Sequence, residues 1–255
     1  MYISIDIGGT NVRVAASSTL ENILSFTKKE FKLIHNFDQD FSHLTDIIKE
    51  LAQEKVDAIG VGLPGDLNRE KTTFISPSKN LAEWSNKPIL KMLTDVFHCR
   101  VVLENDAVVA AIGEAYFGSE KKRNFIYITW GTGIGGAIVH WEKNKALAVK
   151  LDWYRYFQAW EQDCGGNAIN IHLGKSAQLL TEEEWKEIMK NFYKHIMEFC
   201  KILKPALIIV GGGIAMEQAG RLYNTIHSQE NELPEIKVSS LGEDIGLYGA
   251  FGLFK

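Results

Sequence analysis

The sequence predicts an α/β protein of two lobes, each built on a β-sheet that opens with the same hairpin. One copy of the hairpin lies in residues 2–16 and the other in residues 125–139. In both copies, apolar and polar residues alternate on either side of a glycine cluster, which is the period of a half-buried strand. A unit that occurs twice suggests a duplicated domain. We expect an N-terminal lobe of residues 1–107, joined by a closing helix near 245–255, and a C-terminal lobe of residues 108–244.

The first hairpin has the composition of a phosphate-binding loop. Gly8 and Gly9 would let backbone N–H groups approach an anion closely, and Thr10 would add a hydroxyl donor. Asp6 would repel a phosphate there unless a cation lay between them, so the pattern implies Mg²⁺ at Asp6, held through water. Taken alone, the stretch is better explained as an ordinary tight hairpin. The second copy is what favours phosphate binding.

Two further glycine clusters follow in the C-terminal half. The second hairpin turns at Gly131-Thr132-Gly133, and Gly211-Gly212-Gly213 lies between a predicted strand over 206–210 and a helix. Neither hairpin is a Walker A loop, because no Gly-Lys-Ser/Thr follows, and the glycines open a strand, unlike those of a dinucleotide fingerprint. The three consecutive glycines fit either a flat ligand lying against the backbone or a tight strand–helix connection.

The pair Asn105-Asp106 joins a strand predicted for residues 100–103 to a helix of small residues over 108–117. Both side chains cap helices well, and for the pair alone a cap is the better interpretation. The pair also ends a buried strand of an α/β sheet, which is where ligands bind in such folds.

Bulk properties argue against several classes of function. A net charge of −4 gives no electrostatic footprint for nucleic acid, and no apolar run is long enough to span a bilayer. The 3 cysteines are odd in number and widely spaced, which favours reduced thiols in a cytoplasm. We therefore expect a cytoplasmic protein that binds neither nucleic acid nor membranes.

Two segments further along carry weaker expectations. A capping box at Thr181–Glu184 predicts a long helix, and His195, which lies off its apolar stripe, is expected at the surface. Residues 143–162 show no assignable pattern, and their aromatic side chains are expected to pack rather than to bind a ligand.

In order and spacing, these residues resemble the ROK-type sugar kinases, which have the two-lobed actin-like ATPase (ribonuclease H-like) fold. The resemblance covers nearly the whole chain. It implies two phosphate loops and an adenosine-side turn for ATP. The first phosphate loop comprises Asp6, Gly8, Gly9, Thr10 and Arg13. The second comprises Gly131, Thr132 and Gly133, and the adenosine-side turn comprises Gly211, Gly212 and Gly213.

The resemblance also implies a sugar site at Gly65, Asn80, Asn105 and Asp106. Asp106 would be the general base, and the two asparagines would hydrogen-bond sugar hydroxyls. ATP and Mg²⁺ would be the cofactors, and the two lobes would close over the substrates. The identity of the sugar and a homodimeric state are left open.

Two departures from the family concern the sugar. Where the family carries a Glu-x-Gly-His segment that grips the sugar, this chain reads Val149–Trp153, with neither Glu nor His. The family's cysteine-rich zinc loop is also missing, with only Cys164 nearby, so we expect no zinc site. Glu161 matches, loosely, the sugar-contacting Glu that closes that loop. Asp152 and Glu161 are the candidates to replace a missing sugar contact.

Three functions follow, in order of preference. The first is an ATP- and Mg²⁺-dependent, glucokinase-like kinase of a hexose or amino-hexose. The second is a sugar- or nucleotide-sensing protein without turnover, which the missing Glu-x-Gly-His favours and the intact Asn105-Asp106 disfavours. The third is an actin-like kinase or ATPase for a substrate other than a sugar, with residues 149–160 rebuilt for it.

Overall fold

The computed structural model describes residues 1–21, 23, 26–76, 79–120, 122–151, 154–227 and 233–255. Asp152, a candidate sugar contact, therefore lies outside the described residues. The chain divides into two units, residues 1–117 with 244–255, and residues 118–243.

The first unit is built on a five-stranded sheet of the order β3-β2-β1-β4-β7, as far as its described residues show. The sheet consists of β1 (Tyr2–Ile7), β2 (Asn11–Ser17), β3 (Thr27–Lys32), β4 (Ala58–Leu63) and β7 (Arg100–Asn105). A separate two-stranded ribbon is formed by β5 (Asp66–Leu67) and β6 (Phe74–Ser76). Its helices are α1 (Phe37–Ala52), α2 (Ile89–Phe97), α3 (Asp106–Phe117) and α9 (Ile245–Gly252). β1 pairs antiparallel with β2 and parallel with β4, and β4 pairs parallel with β7. The carboxyl ends of β1, β4 and β7 therefore share one edge of the sheet.

The second unit repeats this topology in the order β10-β9-β8-β11-β12. Its strands are β8 (Phe125–Trp130), β9 (Ile134–Glu142), β10 (Lys145–Lys150), β11 (Leu207–Gly211) and β12 (Glu235–Val238). Its helices are α4 (Tyr154–Cys164), α5 (Gly166–Leu173), α6 (Glu182–Leu203), α7 (Gly213–Glu217) and α8 (Ala219–His227). In both sheets an antiparallel three-stranded meander is extended by parallel strands. This confirms the predicted α/β fold with duplicated β-sheet domains.

The first unit extends through Phe117, whereas the expected division after residue 107 would cut α3. The reason is that α3 packs against α9, so that the small-residue helix belongs to the first sheet. The closing helix joins the first unit, from Asp244 to Lys255.

The prediction for His195 is wrong. Its side chain is buried, and its Nε2 lies 2.7 Å from Oδ2 of Asp163 while its ring stacks on Trp160. The reason is that α4, which the sequence pattern left unassigned, covers the side of α6 on which His195 lies. The capping box is confirmed, since the Thr181 hydroxyl accepts from the N–H of Glu184 and the Glu184 carboxylate accepts from the N–H of Thr181.

Within the part of the chain that the structure describes, no helix is both long and apolar enough to cross a bilayer.

Glycines bring α9 into backbone contact with its neighbours. A Cβ atom at Gly249 would overlap the carbonyl group of Val109 on α3, and a Cβ atom at Gly113 would lie 2.8 Å from the carbonyl oxygen of Ile245. A Cβ atom at Gly60, on β4, would overlap the carbonyl group of Ala250. Since these neighbours are backbone atoms, a side chain at Gly249 or Gly113 would force α9 away from α3, and one at Gly60 would force α9 away from β4.

We expect Gly249→Ala to destabilise the full chain by about 2 kcal/mol or more, because overpacking against backbone costs about 1–3 kcal/mol. The matched control is Gly220→Ala on α8, where a Cβ atom meets no described atom within 4 Å. Replacing an exposed helical glycine by alanine stabilises by up to about 1 kcal/mol. Urea denaturation of both variants measures the difference, and equal midpoints would contradict the close packing of α3 and α9.

Candidate active site

The predicted residues of the first unit meet at the carboxyl ends of its parallel strands. In the register of the sheet, Asp6 lies opposite Gly62, which lies opposite Glu104. Neighbouring strands are about 4.8 Å apart, so the backbones at Asp6 and Glu104 are roughly 10 Å apart. The segments that follow carry Gly65 and Asp106. Residues from three separate parts of the sequence thus share the edge at which parallel α/β sheets bind ligands.

The loop between β1 and β2 is a short turn held at both sides. The N–H of Gly8 donates to the carbonyl oxygen of Asn11 (2.8 Å), and the N–H of Leu33 donates to that of Thr10 (2.8 Å). Gly8 and Gly9 are half-buried and Thr10 is exposed. The predicted phosphate loop is therefore a fixed hairpin that presents its tip to solvent.

Asp6 lies against the first turn of α9. A Cβ atom at Gly246 would be 2.6 Å from Cγ of Asp6, so only glycine lets this helix approach the carboxylate. Burial raises the pKa of Asp6, and the Arg13 guanidinium opposes that shift. Arg13 faces Asp6 across the sheet and has Glu30 on its other side, with 3.7 Å between Arg13 Nε and Glu30 Oε2. A desolvated carboxylate next to a single shared guanidinium fits a Mg²⁺ ligand, because a hard cation would compensate its charge.

Asn105 is buried and shapes the site through its amide group. Its Nδ2 donates to the carbonyl oxygen of Gly65 (2.8 Å), and its Oδ1 accepts from the N–H groups of Ala107 (3.0 Å) and Val108 (3.3 Å). Gly65 has φ +96°, a conformation that favours glycine. Asn105 therefore caps α3 and ties the loop after β4 to the end of β7.

Asp106 is the first residue of α3, and its side chain is half-buried. Its Oδ1 accepts from the N–H of Ala107 (2.8 Å). Since Asn105 already caps the helix, the cap that the sequence allowed for either residue belongs to Asn105. Asp106 places a carboxylate at the positive end of the α3 dipole, beside the loop of Gly65.

One ion pair at this edge, between Glu104 and Lys71, has no signal in the sequence. Glu104 accepts from the N–H of Asn105 (2.9 Å) and forms an ion pair with Lys71, which fastens the β5–β6 ribbon to the end of β7. No local motif marks either partner.

Asn80 lies in the 3₁₀ turn Lys79–Trp84, anchored by the buried side chains of Leu81 and Trp84, but its own side chain is outside the described part.

The second glycine loop is held by its carbonyl groups. The N–H groups of Gly166 and Asn167, at the start of α5, donate to the carbonyl oxygens of Gly131 and Thr132, both at 2.9 Å. In a trans peptide group the C=O bond and the N–H bond of the next residue point in opposite directions. The N–H groups of Thr132 and Gly133 therefore point away from α5, on one common side. Two neighbouring backbone donors that point the same way are suited to binding an anion.

The third glycine cluster lies beside this loop. A Cβ atom at Gly131 would be 3.7 Å from the N atom of Gly213, so the two clusters are neighbours. Gly212 has φ +95°, and a Cβ atom there would be 2.5 Å from the carbonyl oxygen of Trp130. At Gly213 a Cβ atom would meet no described atom within 4 Å. The second unit thus offers an anion cradle next to an open backbone surface.

Glu161 lies at the second glycine loop, where its Oε2 accepts from the N–H of Ile134 (2.9 Å).

Cys164 is buried in the core, its thiol donates to the carbonyl oxygen of Ile188 (3.6 Å), and burial raises the pKa of that thiol. Among the residues that the structure describes, no three His, Cys, Asp or Glu side chains are grouped to hold a metal ion. A site with Asp6 as its one protein ligand is not such a group.

Comparison with known proteins agrees with these features. The sequence model of the ROK family matches residues 2–147. The N-acetyl-D-glucosamine kinase of Histophilus somni is 27% identical over 309 aligned positions, which cover 100% of this chain and 99% of that protein. The glucokinase of Streptomyces coelicolor is 33% identical over 316 positions, which cover 99% of this chain and 97% of that protein.

Solved structures show the same fold. A ROK family glucokinase from Streptomyces griseus, in complex with glucose and AMPPNP, superposes with a TM-score of 0.76 at 20% identity, covering 99% of this chain and 98% of that one. A ROK hexokinase from Thermus thermophilus gives a TM-score of 0.73 at 19% identity, covering 98% and 96%.

We expect Asp6→Asn to raise the melting temperature of the ligand-free protein at pH 7 by a few degrees, because it removes the charge of a half-buried carboxylate without changing its shape. The same variant should lose most of the stabilisation that Mg²⁺ADP gives the wild type. Thermal melting with and without Mg²⁺ADP measures both effects. A variant that melts lower and keeps the full Mg²⁺ADP shift would contradict the assignment of Asp6.

Proposed function

Because this chain belongs to the ROK family, we propose that it is a sugar kinase that transfers the terminal phosphoryl group of ATP, with Mg²⁺, to a hydroxyl group of a hexose or amino-hexose. The observation that carries the proposal is the position of Asp106. It heads α3 at the strand edge that also holds Asp6 and Gly65, and Asn105 performs the capping in its place.

In the first unit, Asp106 would act as the general base. A sugar hydroxyl is a weak nucleophile, and its proton would pass to the Asp106 carboxylate as its oxygen bonds to the γ-phosphorus and the bond from that phosphorus to ADP breaks. Asn105 would fix both Asp106 and the loop of Gly65 by its hydrogen bonds. Asp6 would hold Mg²⁺ through water. The bound cation supplies neutralisation of phosphate charge, which is most of what phosphoryl transfer requires.

In the second unit, the outward N–H groups of Thr132 and Gly133 would bind a nucleotide phosphate. The neighbouring turn at Gly211–Gly213 would accept the adenosine, because no side chain covers the backbone at Gly213. These roles use backbone groups, so they depend on the shape of the loops more than on side-chain chemistry.

The two relatives differ in the sugar that their names give, glucose in one and N-acetyl-D-glucosamine in the other. We propose a hexose with the hydroxyl pattern common to both, and leave the substituent at the second carbon to the assay. A coupled assay of ATP turnover against a panel of hexoses and amino-hexoses tests the proposal. If none of the sugars in the panel supports ATP turnover, the proposal is rejected, and a sensing protein or a kinase for another substrate is favoured.

We expect Asp106→Asn to lower kcat by at least about a hundredfold on the sugar that the panel identifies, since positioned general bases contribute about 10²–10⁴-fold. Folding and Mg²⁺ADP binding should be retained, because Asn105 and not Asp106 caps α3. The matched control is Asp38→Asn, an exposed Asp in the first turn of α1. An unchanged kcat in a stably folded Asp106→Asn variant would reject the base.

We also expect relaxed sugar selectivity. A site that hydrogen-bonds a hydroxyl rejects analogues lacking it by about 10⁴–10⁵-fold, and the Glu and His that would do so are missing from residues 149–153. The values of kcat/KM for sugars that differ at one hydroxyl should therefore differ by less than about a hundredfold. Sharp rejection of epimers together with a micromolar KM for one hexose would show that other residues make these contacts.

A further inference from the structure

We propose that Glu161 is a positioning residue of the second glycine loop, which it holds in the shape that binds nucleotide phosphate. The inference rests on the proposed function only in naming the anion as a nucleotide phosphate. Its geometry lies entirely within the second unit.

Glu161 is exposed to solvent on one side, and its side chain lies against two glycines of that unit on the other. Its Oε2 accepts from the N–H of Ile134 at 2.9 Å, and a Cβ atom at Gly133 would be 2.5 Å from the same oxygen. On the other side, a Cβ atom at Gly165 would be 2.9 Å from Cγ of Glu161. Any side chain at Gly133 or Gly165 would displace the carboxylate, so the glycines leave room for it as well as for the turn.

The helix end that carries Glu161 is itself fixed to the loop. The N–H of Gly165 donates to the carbonyl oxygen of Glu161 (2.8 Å), and the indole N–H of Trp130 donates to that of Cys164 (2.8 Å). The next two N–H groups, of Gly166 and Asn167, hold the loop carbonyls. α5 therefore fixes one side of the loop, and Glu161 fixes its exit into β9.

The loop amides divide into two sets. Gly131 donates its N–H within the loop, to the carbonyl oxygen of Gly133 (3.0 Å), and Ile134 donates to Glu161. The N–H groups of Thr132 and Gly133 point outward. Without Glu161, the N–H of Ile134 would be released and Gly133, which has no side chain to limit its dihedral angles, would gain freedom. The outward pair would then lose its common direction.

The negative charge of Glu161 distinguishes a residue that positions the loop from one that binds the anion directly. A carboxylate beside a phosphate site opposes the phosphate electrostatically, so it cannot itself be a phosphate ligand. A glutamine would keep an acceptor oxygen for Ile134 and would remove the repulsion. The hydrogen bond and the charge thus act in opposite directions on nucleotide affinity.

Calorimetric titration of the full chain with Mg²⁺ADP, in the absence of sugar, tests the proposal. We expect Glu161→Ala to weaken binding by about tenfold or more, because a charge-assisted hydrogen bond that orders the loop is lost. Glu161→Gln should bind as tightly as the wild type or more tightly. The matched control, Gln162→Ala, changes an exposed neighbour on α4 and should bind as the wild type does.

Steady-state kinetics give the second measurement. The KM for ATP should rise in Glu161→Ala and be restored in Glu161→Gln. A raised sugar KM with unaltered Mg²⁺ADP affinity would overturn the proposal in favour of a sugar contact. A glutamine variant as weak as the alanine variant would overturn it as well.

A double-variant cycle gives a third test, and if Glu161→Ala folds poorly Gly133→Ala alone decides, since unchanged Mg²⁺ADP binding in that variant would overturn the proposal. Gly133→Ala should push the carboxylate off the loop and weaken Mg²⁺ADP binding, and the loss should shrink when Glu161→Ala is added. Additive losses would overturn the proposal. A wild type that binds Mg²⁺ADP but phosphorylates no sugar rejects the kinase function alone, and the titration still decides the role of Glu161.

Discussion

The backbone contact of α9 with α3 and β4 determines where two carboxylates of the first unit, Asp6 and Asp106, lie. Gly249 and Gly113 let the two helices approach until carbonyl groups touch the opposite backbone, and Gly60 lets α9 lie directly on β4. As a consequence, the first turn of α9 lies against Asp6 at Gly246, and α3 begins at the end of β7 with Asp106. Two helix N-termini thus reach one strand edge, where each faces a negative charge.

The two units use the same hairpin with different supports. The penultimate residue of the first strand is Asp6 in β1 and Thr129 in β8, so only the first hairpin carries a carboxylate for a cation. The first loop is backed by α9 through Gly246, whereas the second is backed by the start of α5 and by Glu161. Duplication thus explains the shared strand order, and the distinct supports agree with the proposal that the first loop holds the metal and the second offers N–H groups to phosphate.

Local patterns made the hairpins and strand ends predictable, since alternation and glycine runs act over a few residues. The roles of Asn105 and Asp106 were not separable, because which of two good capping residues bonds the N–H groups depends on backbone angles. Glu161 meets Ile134 across 27 positions, and His195 is covered by a helix with no clear pattern. Such contacts follow from packing and leave no local signal.

The electrostatics of the first strand edge distinguish its three carboxylates. Glu104 is neutralised by Lys71 and bonded to the N–H of Asn105, which makes it part of the support. Asp6 shares Arg13 with Glu30 and lies under α9, where a cation would relieve its burial. Asp106 stands at the start of a helix whose cap is provided by its neighbour. Charge pairing therefore separates Glu104, a supporting residue, from Asp6 and Asp106, the two carboxylates that we propose for metal binding and for proton transfer.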